Sequence, residues 1–235
     1  MNPLLILTAV EIEARILARA LDLPRVPALP FLAFGRSSIR LAPVGLRAGL
    51  CHARWADLLD GLGRPLVVSA GVCGALDPRL RPGDLVIPER VLGPAGELHP
   101  VAACAHRLAM ARAGAAAATG LLVTTRDVVA TPEAKAALHR TSGALAADME
   151  SALILARAAA SGCPALVVRA VSDGAGEYLP PELVRLVTPS GGLRLTRAVL
   201  LAMTRPTVLP RALTLRRQTR QALRAVAPVL AAFAA

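Results

Sequence analysis

The chain has 235 residues, of which 54% are hydrophobic and only 2% aromatic, with a formal net charge of +11. That length supports one large domain or two small ones, with ample apolar content for a core. The apolar runs are short and interrupted, which excludes a spanning helix of roughly 20 apolar residues, and so few aromatics leave little to stack on bases. "PLLILTAV" (3–10) reads as a buried strand feeding the helical pattern "EIEARILARAL" (11–21). "FLAFG" and "IRLAPVG" read as a hairpin or neighbouring strands, and "LRAGLCHARWADLLDGLG" (46–63) as a helix ending on glycine. "RPLVVSAGVCGAL" (64–76) is a buried strand running into a glycine-rich turn, and "GDLVIPERVL" (83–92) a further strand. "HPVAACAHRLAMARAG" (99–114) is helical and "TGLLVTTRDVVAT" (119–131) a strand. "TPEAKAALHRT" (131–141) is a helix with a threonine cap and proline at its first position. "GALAADME" is a short strand entering the helix "SALILARAAASG", and "CPALVVRAVSD" (163–173) is the last clear strand. Beyond it the pattern is helical, broken at Pro206 and Pro210.

Strands alternating with helices predict an α/β fold: a three-layer α/β/α single domain around a central mixed, mostly parallel sheet. The expected division is a core over residues 1–177 and a helical C-terminal extension over 178–235 packed on it. Neither a signal peptide nor a metal site is expected. Cys51, Cys73, Cys104 and Cys163 show no CxxC spacing and read as buried cytosolic thiols. No cofactor is expected.

The charge is concentrated. From residue 183 onward there is no Asp, Glu or Lys but nine arginines. No helix-turn-helix or finger pattern accompanies them, so nucleic acid is not an expected partner. Two readings remain: a basic amphipathic tail suited to an anionic membrane surface, or a solvated arginine-rich helix.

The acids carry the chemistry. In "AADMESALILARAA" (146–159), Asp148 and Glu150 flank Met149 at the edge of an apolar run. Charged groups there are costly without a partner or a task. Glu13 stands in the first turn of a predicted helix, where the helix dipole favours an acid. Asp173 ends an apolar strand and precedes the glycine-rich "GAGE", a position that suits either a turn cap or a general acid. Taken singly, each acid has a structural explanation. Together Glu13, Gly71, Asp127, Glu150 and Asp173 all fall at predicted strand ends, where α/β sheets bind ligands. Paired carboxyls on opposite faces of a sugar are the general requirement of glycoside cleavage.

"LTAVEIEA", "SAGVCGALDPRLRPGDLVIP", "ADMESA" and "VVRAVSD", in that order, resemble the nucleoside phosphorylase and methylthioadenosine/adenosylhomocysteine nucleosidase superfamily over about residues 4–173. The tail is similar to that of the hopanoid-associated phosphorylases, which release adenine from adenosylhopane. The resemblance implies cleavage of the N-glycosidic bond of a 5′-substituted adenosine, with adenosylhopane as the expected substrate and a soluble methylthioadenosine-type nucleoside as the alternative. It implies that Asp173 protonates the purine, oriented by Ser172, and that Glu13 activates water. Glu150 and Met149 would hold the ribose, Val128 and Val129 the purine, and Gly71 and Val72 would lie near the nucleophile. Val72 stands where some relatives carry a serine for water or an anion, which leaves hydrolysis and phosphorolysis both open, with Arg36 and Arg47 as candidate phosphate ligands. A homodimer in the cytoplasm is expected, peripheral at the inner membrane face if the arginine-rich tail binds membrane rather than packing on the core. A non-catalytic nucleoside- or lipid-binding protein is the reading of another class, but such a binder has no need of a proton donor at Asp173.

Overall fold

A computed structural model describes residues 3–115, 117–179 and 209–234. Alternation along the first strand sets the layers. Every residue of β1 (Leu4–Thr8) is buried, yet successive side chains point to opposite faces. Leu5 and Leu7 join an apolar cluster with Trp55, Leu58, Ile154 and Leu155. Leu4 and Ile6 join another with Leu17, Ala109 and Leu223. β4 (Leu66–Ala75) and β10 (Ala165–Asp173) repeat the division: Val67 and Val167 face the first cluster, Val68 and Val168 the second. The first face is covered by α2 (Cys51–Leu59) and α5 (Ser151–Ala160). The second is covered by α1 (Glu11–Ala20), α3 (Ala103–Ala113) and the C-terminal α6 (Leu209–Ala234). This is the expected three-layer α/β/α arrangement. A smaller cluster of Leu76, Val123, Ala144 and Ala147 lies under Leu138 of α4 (Pro132–Ser142).

Among the described residues the strands form one ten-stranded mixed sheet. β1 runs parallel to β3 (Ile39–Pro43) and to β4, and β4 parallel to β10. β8 (Leu121–Thr124) runs parallel to β9 (Ala146–Asp148) and to β6 (Arg90–Leu92). Antiparallel partners are β2 (Phe34–Arg36) on β3, β5 (Leu85–Val86) on β10, β7 (Leu98–Pro100) on β6, and β9 on Gly74–Ala75.

Several expectations change in detail. The strand expected over 83–92 divides into β5 and β6 on either side of Pro88, which has no N–H for a ladder. β7 forms where a helix was expected from His99, and α3 begins only at Ala103. Pro100 is tolerated because β7 is at the sheet edge. The helix expected from 46 begins at Cys51, because Arg47 takes a left-handed φ of 54° and leaves only a 3₁₀ turn before it. Gly71 lies within β4 rather than in a turn. Cys104 is exposed, unlike the other three thiols. Pro210 stands in the first turn of α6, where the missing N–H costs nothing, whereas Pro206 lies outside the described residues. α6 buries Ala222, Leu223, Val226, Ala227, Val229 and Leu230, a helical stripe that seats it on the sheet.

Candidate active site

The carboxyl ends of β1, β4, β8, β9 and β10 surround a pocket of about 220 Å³. Its walls are largely apolar, from Val10, Leu46, Val72, Leu76, Val128, Val129, Met149 and Leu179. Into it face Glu13, Asp148, Glu150, Ser172, Asp173 and Lys135.

Glu13 enters from the first turn of α1 and is 2% exposed. Its Oε2 accepts from the backbone N–H of Ala9 at 3.0 Å and of Val10 at 3.2 Å. Its Oε1 accepts from the N–H of Val72 at 3.1 Å. The acid thus satisfies donors at its own helix start and locks β1 to β4. Burial raises its pKa, opposed by the nearby Arg169 charge and by those N–H donors. Gly71 makes this approach possible. A Cβ there would stand 2.6 Å from Nη1 of Arg169 and 2.7 Å from Oε1 of Glu13, inside contact distance of both.

Arg169 of β10 is the hub beneath the pocket, and it is 1% exposed. It pairs with Asp148 at 2.7 Å and donates to the hydroxyls of Ser69 at 2.9 Å and Ser151 at 3.1 Å. Asp148 also accepts from Thr124 Oγ1 at 2.7 Å and from the Ser151 N–H. Asp148 is therefore a structural counter-charge, fully occupied by its neighbours. Glu150 is not. It occupies the N-cap position of α5 without capping it. Its Oε1 accepts from the Arg47 N–H at 3.0 Å, while Oε2 stands 4.0 Å from Arg169. Burial pushes its pKa up to about 8; Arg169 opposes this, and the neighbouring Asp148 and Glu13 add to it.

Asp173 ends β10 and is 2% exposed. Ser172 Oγ donates to its Oδ1 at 2.7 Å, and Lys135 Nζ to its Oδ2 at 2.6 Å. The alternative of a turn cap is not what forms: both carboxyl oxygens are engaged by side chains.

The fold and this cluster of buried acids at strand ends define an α/β protein with an acid-lined pocket at one end of its sheet. The chain belongs to the phosphorylase superfamily, whose family profile matches residues 51–203. No curated protein matches it. Solved structures similar to it include a point mutant of the Helicobacter pylori methylthioadenosine nucleosidase with 5′-methylthioadenosine in the active site. That structure has a TM-score of 0.73 at 17% identity, over 98% of this chain and 96% of that one. The Neisseria meningitidis 5′-methylthioadenosine/S-adenosylhomocysteine nucleosidase with methylthio-immucillin-A gives 0.73 at 18%, over 100% and 99%. The Streptococcus pneumoniae enzyme with 8-aminoadenine gives 0.72 at 19%, over 99% and 98%. Identities this low speak for the fold.

The pocket brings together Glu13, Val72, Val128, Val129, Met149, Glu150, Ser172 and Asp173 from the sequence-derived set. Gly71 lies below it, against Glu13 and Arg169. Asp127 is outside, exposed and paired with Arg47 at 2.7 Å. The guanidinium of Arg47 is committed to Asp127 and the Arg126 carbonyl, and Arg36 pairs with Asp22 on the surface. Neither arginine is placed to receive phosphate in the pocket. Sequence reasoning missed Arg169 and Lys135. The signal for Arg169 was an arginine inside the apolar run "ALVVRAVSD". The signal for Lys135 was its being the chain's sole lysine beside 26 arginines. Among the described residues no group of three or more His, Cys, Asp or Glu is arranged to hold a metal ion.

Proposed function

We propose that the protein cleaves the N-glycosidic bond of a 5′-substituted adenosine by hydrolysis. The observation that carries this reading is that Glu13, Glu150 and Asp173, all buried, share one apolar-walled pocket. Glu13, held by three N–H groups with a raised pKa, is the base that activates water. Glu150 binds the ribose hydroxyls over Met149. Asp173, steadied by Ser172, delivers the proton to N7 of the departing purine, which lies against Val128 and Val129. The electron pair of the C1′–N9 bond leaves with the purine, and the water oxygen bonds to C1′. Water is favoured over phosphate by the lack of a free donor cation. Among the described residues lining the pocket the cation is Lys135, and all three of its ammonium protons are engaged.

The test is adenine release from adenosine-type substrates with and without phosphate. Release in phosphate-free buffer is expected, and Asp173→Asn should slow it about 10²–10⁴-fold, the usual range for a general acid. Strict phosphate dependence would make the enzyme a phosphorylase, and an unimpaired Asn variant would remove Asp173 from the mechanism.

For the 5′ substituent we propose a lipid, adenosylhopane, presented at an anionic membrane. The stripe Leu193, Leu195, Val199, Leu200 and Met203, on which the tail resemblance bears, lies outside the described residues. Support comes instead from the outer face shared by α1 and α6. Arg15, Arg19, Arg216, Arg217, Arg220 and Arg224 are exposed there, with Ile12 and Leu213 46% and 59% exposed among them. Arg15 pairs there with Glu11 at 3.4 Å. Cations around exposed aliphatic side chains suit a headgroup boundary. No described helix is long and apolar enough to cross a membrane, so contact would be peripheral. Sedimentation with anionic vesicles should show binding that weakens with salt and is lost in Arg220→Glu/Arg224→Glu. Absence of binding, with rapid cleavage of methylthioadenosine, would favour the soluble substrate.

A further inference from the structure

Of 27 basic side chains other than histidine, 26 are arginine. The single lysine, Lys135, is 1% exposed. It projects from the first turn of α4 and places all three ammonium protons. One goes to Asp173 Oδ2 at 2.6 Å, one to the Gly174 carbonyl at 2.8 Å and one to the Glu177 carbonyl at 3.0 Å. Three oxygens converging on one point fit a compact ammonium; a planar guanidinium fork spreads its donors and does not match them. The oxygens belong to the end of β10 and the loop directly after it. The same loop reaches α6, where Gln218 Nε2 donates to the Glu177 carboxylate at 3.3 Å.

We infer that Lys135 is a positioning residue for departure of the leaving group: it fixes where the Asp173 carboxyl stands and holds the 174–177 loop against the same side of the pocket. This rests on the nucleosidase reading above. Lys135 itself exchanges no proton in the reaction. N7 takes a proton that the Asp173 carboxylate has first picked up from solvent, the C1′–N9 pair goes to the purine, and the ammonium remains an ammonium. What Lys135 contributes is placement, and a general acid displaced by about 1 Å can lose about 10²-fold in rate.

The experiment compares two substrates in four proteins: wild type, Lys135→Met, Asp173→Asn and the double variant. One substrate is methylthioadenosine, whose purine must be protonated to leave. The other is a nitrophenyl riboside, whose nitrophenolate leaves without a proton. Lys135→Met should lower kcat on methylthioadenosine by about 10–10²-fold, the scale of a misplaced acid, with a much smaller loss on the nitrophenyl riboside. The double variant should be no slower than Asp173→Asn alone, because the lysine has nothing left to place. The double variant also removes the uncompensated carboxylate that Lys135→Met leaves buried, so it can be assayed where the single variant does not fold. Equal losses on both substrates, or losses that multiply in the double variant, would overturn the inference and leave Lys135 a structural clamp. A wild type that cleaves the nitrophenyl riboside but no adenosine would instead count against the nucleosidase reading itself.

Discussion

Asp148 and Glu150 are two residues apart and do different work because their neighbours differ. Asp148 faces Arg169, Thr124 and the Ser151 N–H, and is consumed by them. Glu150 turns to the pocket with one backbone donor and a distant guanidinium. The consequence is measurable. Folded, Glu150 keeps its proton up to a pKa of about 8, against an ordinary value of 4.5. Between those values the folded state binds more protons than the unfolded one, so this group's contribution to stability is complete below the lower value and fades as pH rises through the upper. Glu150→Gln has no such dependence. Urea unfolding should show wild type losing stability relative to the variant between about pH 5 and about pH 8. A wild-type-to-variant difference that stays constant with pH would mean that the carboxyl is not held protonated by the fold.

At the scale of elements, α4 carries Lys135 into the site. Its start is specified locally: Thr131 Oγ1 accepts from the Ala134 N–H at 3.2 Å, Pro132 fills the first position, and Gly143 ends the helix at φ 69°. Thr131→Ala removes the cap at a cost of about 0.5–2 kcal/mol. Because the frayed turn is the one that bears Lys135, turnover of adenosine substrates should fall more than thermal stability alone predicts. A variant with lowered Tm and full kcat at moderate temperature would show that the first turn of α4 is not coupled to the acid. The cap was readable from "TPEAKAALHRT" alone. The lysine's target was not, since nothing in the helix points to Asp173.

For the whole molecule, the question is what the C-terminal helix is for. α6 lies over β10 and against α1 and α3, with Leu223 fully buried in the second core cluster. It is thus part of the layer that backs β10, and its outer face carries arginines. Leu223→Ala should cost about 2–5 kcal/mol, the range for a buried leucine truncated in a core. Denaturation that remains cooperative at a lower midpoint is expected. A separate early transition for this helix would show that it folds as an appendage. The same helix explains why a net charge of +11 is compatible with an acidic pocket: most of the cations sit on outer faces, and those near the pocket are neutralised.

By itself the sequence determined the layers and the acids. Period-2 and helical apolar patterns are local, and so is the placement of Glu13, Glu150 and Asp173 at the ends of elements. Tertiary structure alone decided what those acids meet. Asp173 meets a lysine 38 positions earlier, and Glu150 a backbone N–H 103 positions away. It also decided that Gly71 is needed as clearance for Glu13 and Arg169 rather than as a turn, and that Arg36 and Arg47 are used elsewhere. The physical reason is common to all of these. A carboxyl's role follows from burial and from the charges and donors packed around it, and in a parallel sheet those come from strands and helices remote in the chain.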